Sequence, residues 1–428
     1  MPSASFQTSK PSIDFKSYFE NEDFLVEGKA EPSRRSQILI FHLENLNWWV
    51  KVTFIGEVLR ITNEPVVKKK TSKPQRRKEY QEFIKLMDFR SLPLLDDTVS
   101  EVILEEANDQ PDSTLKIYET GEFRVSPFAK FRKLKYTIRE DLSRVIYPLC
   151  DEFPSLRKFQ MSELSEQTEI TDGVFHVIGA NDETPYILKA VNRPLYQPHD
   201  TEVIRSELKN LEDFRGKSNI VQQAGIAVGT NPYATSNTTE QPLVIFGILL
   251  VFYPGGSLQN LFDEDRVREH SWGRWTIQIA AAITCLHKAG KTHMDIKPSN
   301  VVIDGDGNSV LIDISGVGGI THEWRAPEIR DSISPGTLSF KARQMNDTWA
   351  YGKLLSEMIS HGGASPFSET LNHVVTCLMR GDTVTRMTLP EAISYLQASG
   401  IDRRAVYTRS ADTLMAAVEH DISSCCNN

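Results

Sequence analysis

Apolar and polar positions along the chain fall into two regimes. Within residues 1–158, runs at residues 37–43 and 48–55 are rich in β-branched and aromatic side chains and read as strands. Residues 79–89 and 136–153 carry apolar side chains at three- and four-residue spacing and are predicted as helices. From about Gln160 the order changes. Strand-like runs come first, at residues 175–178 and 186–191, followed by an amphipathic stretch at residues 202–214. A further apolar strand pair ends at Tyr253, where Pro254-Gly255-Gly256 breaks it. The next helix places Trp272, Trp275, Ile279, Ala282 and Leu286 on one face. Residues 301–303 and 310–312 then flank Asp304-Gly305-Asp306-Gly307-Asn308, a hairpin signal, and the remainder reads helical. Strands first and helices afterwards predict an α+β chain with a small β-rich lobe joined to a larger helical lobe. The composition shift divides it into a small α+β region over residues 1–158, a main domain over residues 159–420 and a flexible tail over residues 421–428.

Composition narrows the classes. The 428 residues are 40% hydrophobic and 25% charged, the profile of an ordinary globular protein rather than a disordered or fibrous one. A formal net charge of −9 argues against a dedicated nucleic-acid binder, which needs a basic surface. The longest apolar run, residues 242–253, falls short of the roughly 20 residues of a membrane span. The opening, MPSASFQTSKPSIDF, lacks the apolar core of a secretory signal. Cys150, Cys285, Cys377, Cys425 and Cys426 form an odd set without zinc spacing, so reduced thiols and an intracellular, cytoplasmic setting are expected. The stretch from Lys68 to Lys78 has seven Lys or Arg in eleven positions. It reads as a solvated loop or, more sharply, as a nuclear-import signal. Cys425 stands four positions from the end, as prenylation needs, but Asn427 and Asn428 make Cys425 and Cys426 read as an exposed tail. Asp304 to Asn308 imitates a calcium loop, yet Ser309 and Ser315 stand where Gly and Glu belong, so a plain turn is expected.

The chemistry concentrates in His293-Met294-Asp295-Ile296-Lys297-Pro298-Ser299-Asn300 and in Asp313, 18 positions after Asp295. Two acids, an amide and a lysine at the ends of one hairpin suit phosphoryl transfer. A carboxylate orients a hydroxyl nucleophile and takes its proton, a carboxylate and an amide hold a divalent metal, and a lysine balances charge on the moving group.

These residues resemble the catalytic loop and metal motif of eukaryotic protein kinases, H-R-D-x-x-x-x-N and D-F-G, with Met294 for the arginine and Asp313-Ile314-Ser315 for the second motif. The resemblance implies a bilobal protein-kinase-like fold and a serine/threonine kinase using ATP and Mg²⁺ on a protein substrate. It makes Asp295 the catalytic base and Lys297 the charge stabiliser. Asn300 and Asp313 become metal ligands. Lys189 and Glu207, 18 positions apart, become the ATP-anchoring pair, and Gly173, Ile187 and Val302 line the nucleotide site. Ala326-Pro327-Glu328 resembles the A-P-E that closes the activation segment, with Thr321 seven positions before Glu328. Asp347-Thr348-Trp349-Ala350-Tyr351-Gly352 resembles the helix start whose Asp braces the catalytic loop, and Arg386 matches the partner of the A-P-E glutamate. Leu211, His293, Ile314 and Asp347 fall at the family's internal spine positions. The glycine-rich loop departs from G-x-G-x-x-G, since only Gly173 of Thr171-Asp172-Gly173-Val174-Phe175-His176 remains, and Ser315 replaces the D-F-G glycine. The alternatives are a pseudokinase scaffold or a small-molecule kinase. The absent loop arginine at Met294, with Glu328 only 15 positions after Asp313, implies control without activation-loop phosphorylation.

Overall fold

The computed structural model describes residues 10–27, 31–56, 58, 71–106, 114–118, 128, 134–181, 183–236, 241–317, 321–363 and 365–401. Cys425, Cys426 and the predicted tail lie outside them. The chain forms two compact units. The first comprises Met1–Glu152 with Gly229–Val244, and the second Phe153–Val228 with Ile245–Asn428.

The first unit is a five-stranded sheet in the order β1 (Ser12–Glu20), β2 (Arg34–Leu43), β3 (Leu46–Ile55), β4 (Val99–Glu106), β5 (Leu134–Glu140). A short helix α1 (Asp23–Val26) follows β1, and α2 (Lys73–Ile84) lies in the crossover between the parallel strands β3 and β4. Strand periodicity sets the core. Val50, Val52 and Phe54 alternate onto one face and pack with Tyr80, Phe83 and Ile84 of α2. The Tyr80 hydroxyl donates to the Val52 carbonyl at 3.1 Å, so its one polar atom is satisfied.

Three expectations for this unit are corrected. Residues 136–153 are no helix. Tyr136 and Ile138 pack on the core while Lys135, Thr137 and Arg139 are exposed, a two-residue period that builds β5, and only a 3₁₀ turn at Cys150–Glu152 follows. The helix expected at residues 79–89 starts earlier, because Ser72 caps it by accepting from the Gln75 amide and Pro74 occupies its first turn. Residues 73–78 of the basic run are therefore helical rather than a loop. Arg76 is 5% exposed and binds both carboxylate oxygens of Glu20, its guanidinium lying 5.2 Å from the Phe24 ring. Lys68, Lys69 and Lys70 lie outside the described residues.

Residues 229–244 complete this unit. Tyr233 meets Trp49 edge-on at 5.6 Å, and Thr235 exchanges two bonds with Asp97, accepting from its amide at 2.8 Å and donating its own amide to its carboxylate at 2.9 Å.

The second unit opens with a six-stranded sheet in the order β6 (Lys158–Gln160), β10 (Gln223–Thr230), β11 (Leu243–Val251), β9 (Pro185–Ala190), β8 (Val174–Gly179), β7 (Leu164–Thr171). Helix α3 (Pro198–Asp213) separates β9 from β10. The helical part follows as α4 (Leu258–Asp263), α5 (Gly273–Lys288), the hairpin β12 (Val301–Ile303) and β13 (Ser309–Leu311), then α6 (Phe340–Gly362), α7 (Ser368–Leu378) and α8 (Leu389–Ala398). The boundary falls before Phe153, ahead of the expected residue 158, because Phe153, Leu156 and Phe159 are buried with this unit. Asp304 closes the hairpin turn, accepting from the Asp306 and Asn308 amides. Among the described residues no helix is long and apolar enough to cross a membrane.

Candidate active site

Strand β9 alternates, so Tyr186 and Leu188 enter the core while Ile187 and Lys189 face the other way. Helix α3 carries Glu207, fully buried, on the side that meets this strand. The Lys189 ammonium lies 2.5 Å from Glu207 Oε2 and 2.9 Å from Asp313 Oδ1. Burial alone would lower the Lys189 pKa, but the charges of Asp313 and Glu207 outweigh it and hold it above the usual lysine range. That ammonium in turn holds the Asp313 carboxyl down to about 2. Burial pushes the Glu207 carboxyl above its ordinary range, with Lys189 opposing it.

The catalytic loop is held from below. Asp347 on α6 has no exposed surface, and its two oxygens accept the amides of His293 and Met294, each at 2.8 Å. His287 reaches the same carboxylate at 2.9 Å. These bonds hold Met294 at φ 68°, a left-handed conformation that turns the chain toward Asp295. Around Asp295 the predicted groups converge. Lys297 Nζ is 2.7 Å from its Oδ2, Asn300 Nδ2 donates to the same oxygen at 2.9 Å and to its main-chain carbonyl at 2.8 Å, and the Thr321 hydroxyl lies 3.4 Å from Oδ1. Lys297 also donates to Thr321 Oγ1 at 3.1 Å. The Ile312 amide donates to the Asn300 carbonyl at 3.0 Å, which ties the segment before Asp313 to this loop.

Downstream, Arg386 grips Glu328 with two bonds of 2.6 and 3.0 Å. Met294 is buried with Ala326, Ile329 and Trp349, so apolar packing joins the catalytic loop to the segment ending at Glu328. Leu211, His293, Ile314 and Asp347 are each at most 1% exposed. Ile187 and Val302 are half-buried on β9 and β12.

Gly173 has a different setting from the one its motif implies. It forms, with Asp172, a turn of two residues between the paired Thr171 and Val174, at φ 72°. Its amide donates to the Glu169 carboxylate at 3.3 Å, and a Cβ there would stand 2.6 Å from Arg193 Cβ. The hairpin is shorter than a phosphate-covering loop, and its single glycine amide already has a partner.

Asn300 and Asp313 form a donor set of hard oxygens. The Asn300 nitrogen is engaged with Asp295, and Asp313 binds Lys189 through Oδ1 only. One amide oxygen and one carboxylate oxygen remain, a set suited to Mg²⁺ completed by phosphate and water.

The Protein kinase domain family matches residues 171–397, more than half of the chain. This chain belongs to the protein kinase family. It is 32% identical over 305 residues to the serine/threonine-protein kinase AtPK1/AtPK6 of Arabidopsis thaliana, covering 61% of this chain and 62% of that protein. It is 30% identical over 162 residues to mitogen-activated protein kinase kinase kinase 2 of the same plant, covering 34% of this chain and 24% of that one. A probable inactive serine/threonine-protein kinase of Dictyostelium discoideum is 32% identical over 132 residues, 29% of this chain and 11% of that protein. The chain thus spans about three-fifths of the first of these relatives and a quarter or less of the others. The bilobal α+β expectation agrees with the sheet and helices of the second unit.

The motifs did not reveal Ser206, Asn210 or His287, which contact these elements through side-chain bonds to distant partners.

Proposed function

We propose that the chain is a protein serine/threonine kinase that transfers the γ-phosphate of ATP to a protein hydroxyl. The observation that carries this reading is the closed network in which Asp295 is held by Lys297, Asn300 and Thr321 beside the Lys189–Glu207–Asp313 cluster. Lys189, fixed by Glu207, presents a point charge to the triphosphate. Asn300 and Asp313 would hold Mg²⁺, which when bound would offset phosphate charge. Asp295 orients the acceptor hydroxyl and takes its proton as the new O–P bond forms and ADP departs. Lys297 balances negative charge on the transferred group.

A pseudokinase reading rests on one observation, the tight β7–β8 turn whose glycine amide is bound by Glu169. It predicts weak nucleotide binding and no turnover. The substrate is read as a protein from the family, and the cytoplasm or nucleus as the compartment from the free thiols of Cys150, Cys285 and Cys377 and from the basic run. Arg76 is withdrawn from that run by Glu20, which leaves Lys68, Lys69, Lys70, Lys73, Arg77 and Lys78 as the candidate import signal.

Calorimetry of the whole chain with Mg·ATP tests the nucleotide site. The reading predicts binding that weakens at least ten-fold in Lys189→Ala and in Asp313→Ala, on the order of 1.4 kcal/mol or more. Equal affinity in wild type and both variants contradicts it.

A further inference from the structure

Helix α3 brings Ser206, Glu207 and Asn210 together, since positions three and four apart share a helical face. Glu207 serves Lys189. The other two reach the backbone just beyond Asp313. Asn210, 2% exposed, donates from Nδ2 to the Ile314 carbonyl at 2.6 Å and lies 3.4 Å from the Ser315 carbonyl. The Ser206 hydroxyl donates to that second carbonyl at 3.1 Å. Carbonyls only accept, so the amide nitrogen, and no carboxylate, fits this place.

What the clamp holds is an unfavourable backbone. Asp313 stands at φ 59°, a left-handed conformation that a non-glycine residue keeps only where its surroundings enforce it. Gly316, at φ 73°, lets the chain turn away again, and a Cβ on it would be 3.0 Å from the Thr292 carbonyl and 3.9 Å from Asn210 Nδ2. Asp313 is therefore gripped twice from one helix. Glu207 acts through Lys189 on its carboxylate, and Asn210 with Ser206 acts on the peptides that follow it.

We propose that Asn210, assisted by Ser206, is a positioning residue that fixes the Asp313 carboxylate in its metal-binding orientation. Through it, α3 sets metal affinity as well as the lysine. This rests on the Mg·ATP reading of the site. It assigns no contact between Asn210 and substrate or metal.

The test uses the full chain with Asn210→Ala, Asn210→Asp and Ser206→Ala. Mn²⁺ affinity is read by electron paramagnetic resonance with a non-hydrolysable ATP analogue present, and analogue binding is read again without metal. Loss of one buried bond predicts Mn²⁺ affinity down about ten-fold in Asn210→Ala, further in Asn210→Asp and less in Ser206→Ala. Metal-free analogue binding should stay within about two-fold, because Lys189 and Glu207 are untouched. Unchanged Mn²⁺ affinity in both Asn210 variants, or a parallel fall in metal-free binding, overturns the proposal. Hydrogen exchange of the ligand-free chain supplies an arm that needs no nucleotide. Asn210→Ala should exchange faster over residues 313–316 and unchanged over α5. Equal exchange there overturns the clamp. A wild type that binds no metal and analogue overturns the phosphotransfer reading instead, and the exchange arm still decides whether Asn210 holds this segment.

Discussion

Asp295 accepts bonds from three side chains supplied by two segments of the chain, and this fixes its carboxylate before any substrate arrives. A base that acts on the acceptor hydroxyl contributes in the transition state rather than in nucleotide binding. Asp295→Asn should lower kcat by about 10²–10⁴ while ATP affinity stays within about two-fold, as steady-state kinetics with parallel calorimetry would show. The charge cluster makes a separate statement about pH. Asp313 is depressed from 3.8 to about 2, so its stabilising pairing is complete above 3.8 and is lost only as pH falls toward 2. Lys189 is raised above 10.5, so its share is complete below 10.5 and is lost only as pH rises beyond it. ATP affinity should therefore stay flat between about pH 6 and 9 once the nucleotide's own ionisation is subtracted. A step in that window would show that a group other than Asp313 and Lys189 governs binding, the raised Glu207 carboxyl being the first to examine. These residues were legible because each sits in a short motif with fixed spacing. Asn210 and Ser206 were not, since each bonds a backbone carbonyl more than a hundred positions away and reads locally as the polar face of an amphipathic helix.

At the scale of elements, the catalytic loop and the segment ending at Glu328 are joined by apolar contact. Met294, 5% exposed among Ala326, Ile329 and Trp349, fills the place where an arginine would wait for a phosphate. Met294→Arg buries a charge without a partner and should lower unfolding free energy by about 3–5 kcal/mol, whereas Met294→Leu should cost less than about 1.5 kcal/mol. Denaturant titration of both variants decides this. A stable Met294→Arg chain would mean that the loop opens to solvent. Activity of bacterially made protein should likewise be unaffected by phosphatase treatment. Elements with a regular apolar face, such as α5, or with a strong turn signal between short apolar runs, such as the β12–β13 hairpin, were readable from sequence. Strand β5 was not, because Ile138, Leu142, Val145 and Leu149 run at steps of three and four, and only packing of Tyr136 and Ile138 against the sheet selects the two-residue period.

At the scale of the molecule, the composition shift near residue 158 does not reveal that the first unit is discontinuous. Residues 229–244 lie far along the chain, and no local pattern pairs Thr235 with Asp97. Nor does composition reveal that a surface-looking basic run delivers Arg76 to a buried carboxylate. Burial works to raise the Glu20 pKa, yet bonds from Arg76 and Tyr18 outweigh it and hold it below 4.5. The pair therefore stabilises the first unit above pH 4.5 and loses that contribution as pH falls through the lowered value. Arg76→Ala strands Glu20 and should lower unfolding free energy by about 3–5 kcal/mol at neutral pH, with a smaller difference from wild type in acid. Thermal melts across pH would reveal an equal loss at every pH if the pair were inert.

The central claim is that this kinase fold performs chemistry. Its most direct test is mass-spectrometric detection of phosphate transferred from Mg·ATP by the purified full chain, to itself or to a generic basic protein substrate, beside an identically prepared Asp295→Asn variant. The account predicts new phosphoserine or phosphothreonine in the wild-type reaction and almost none in the variant. Equal incorporation in both, or none in either while Mg·ATP binds, would contradict it.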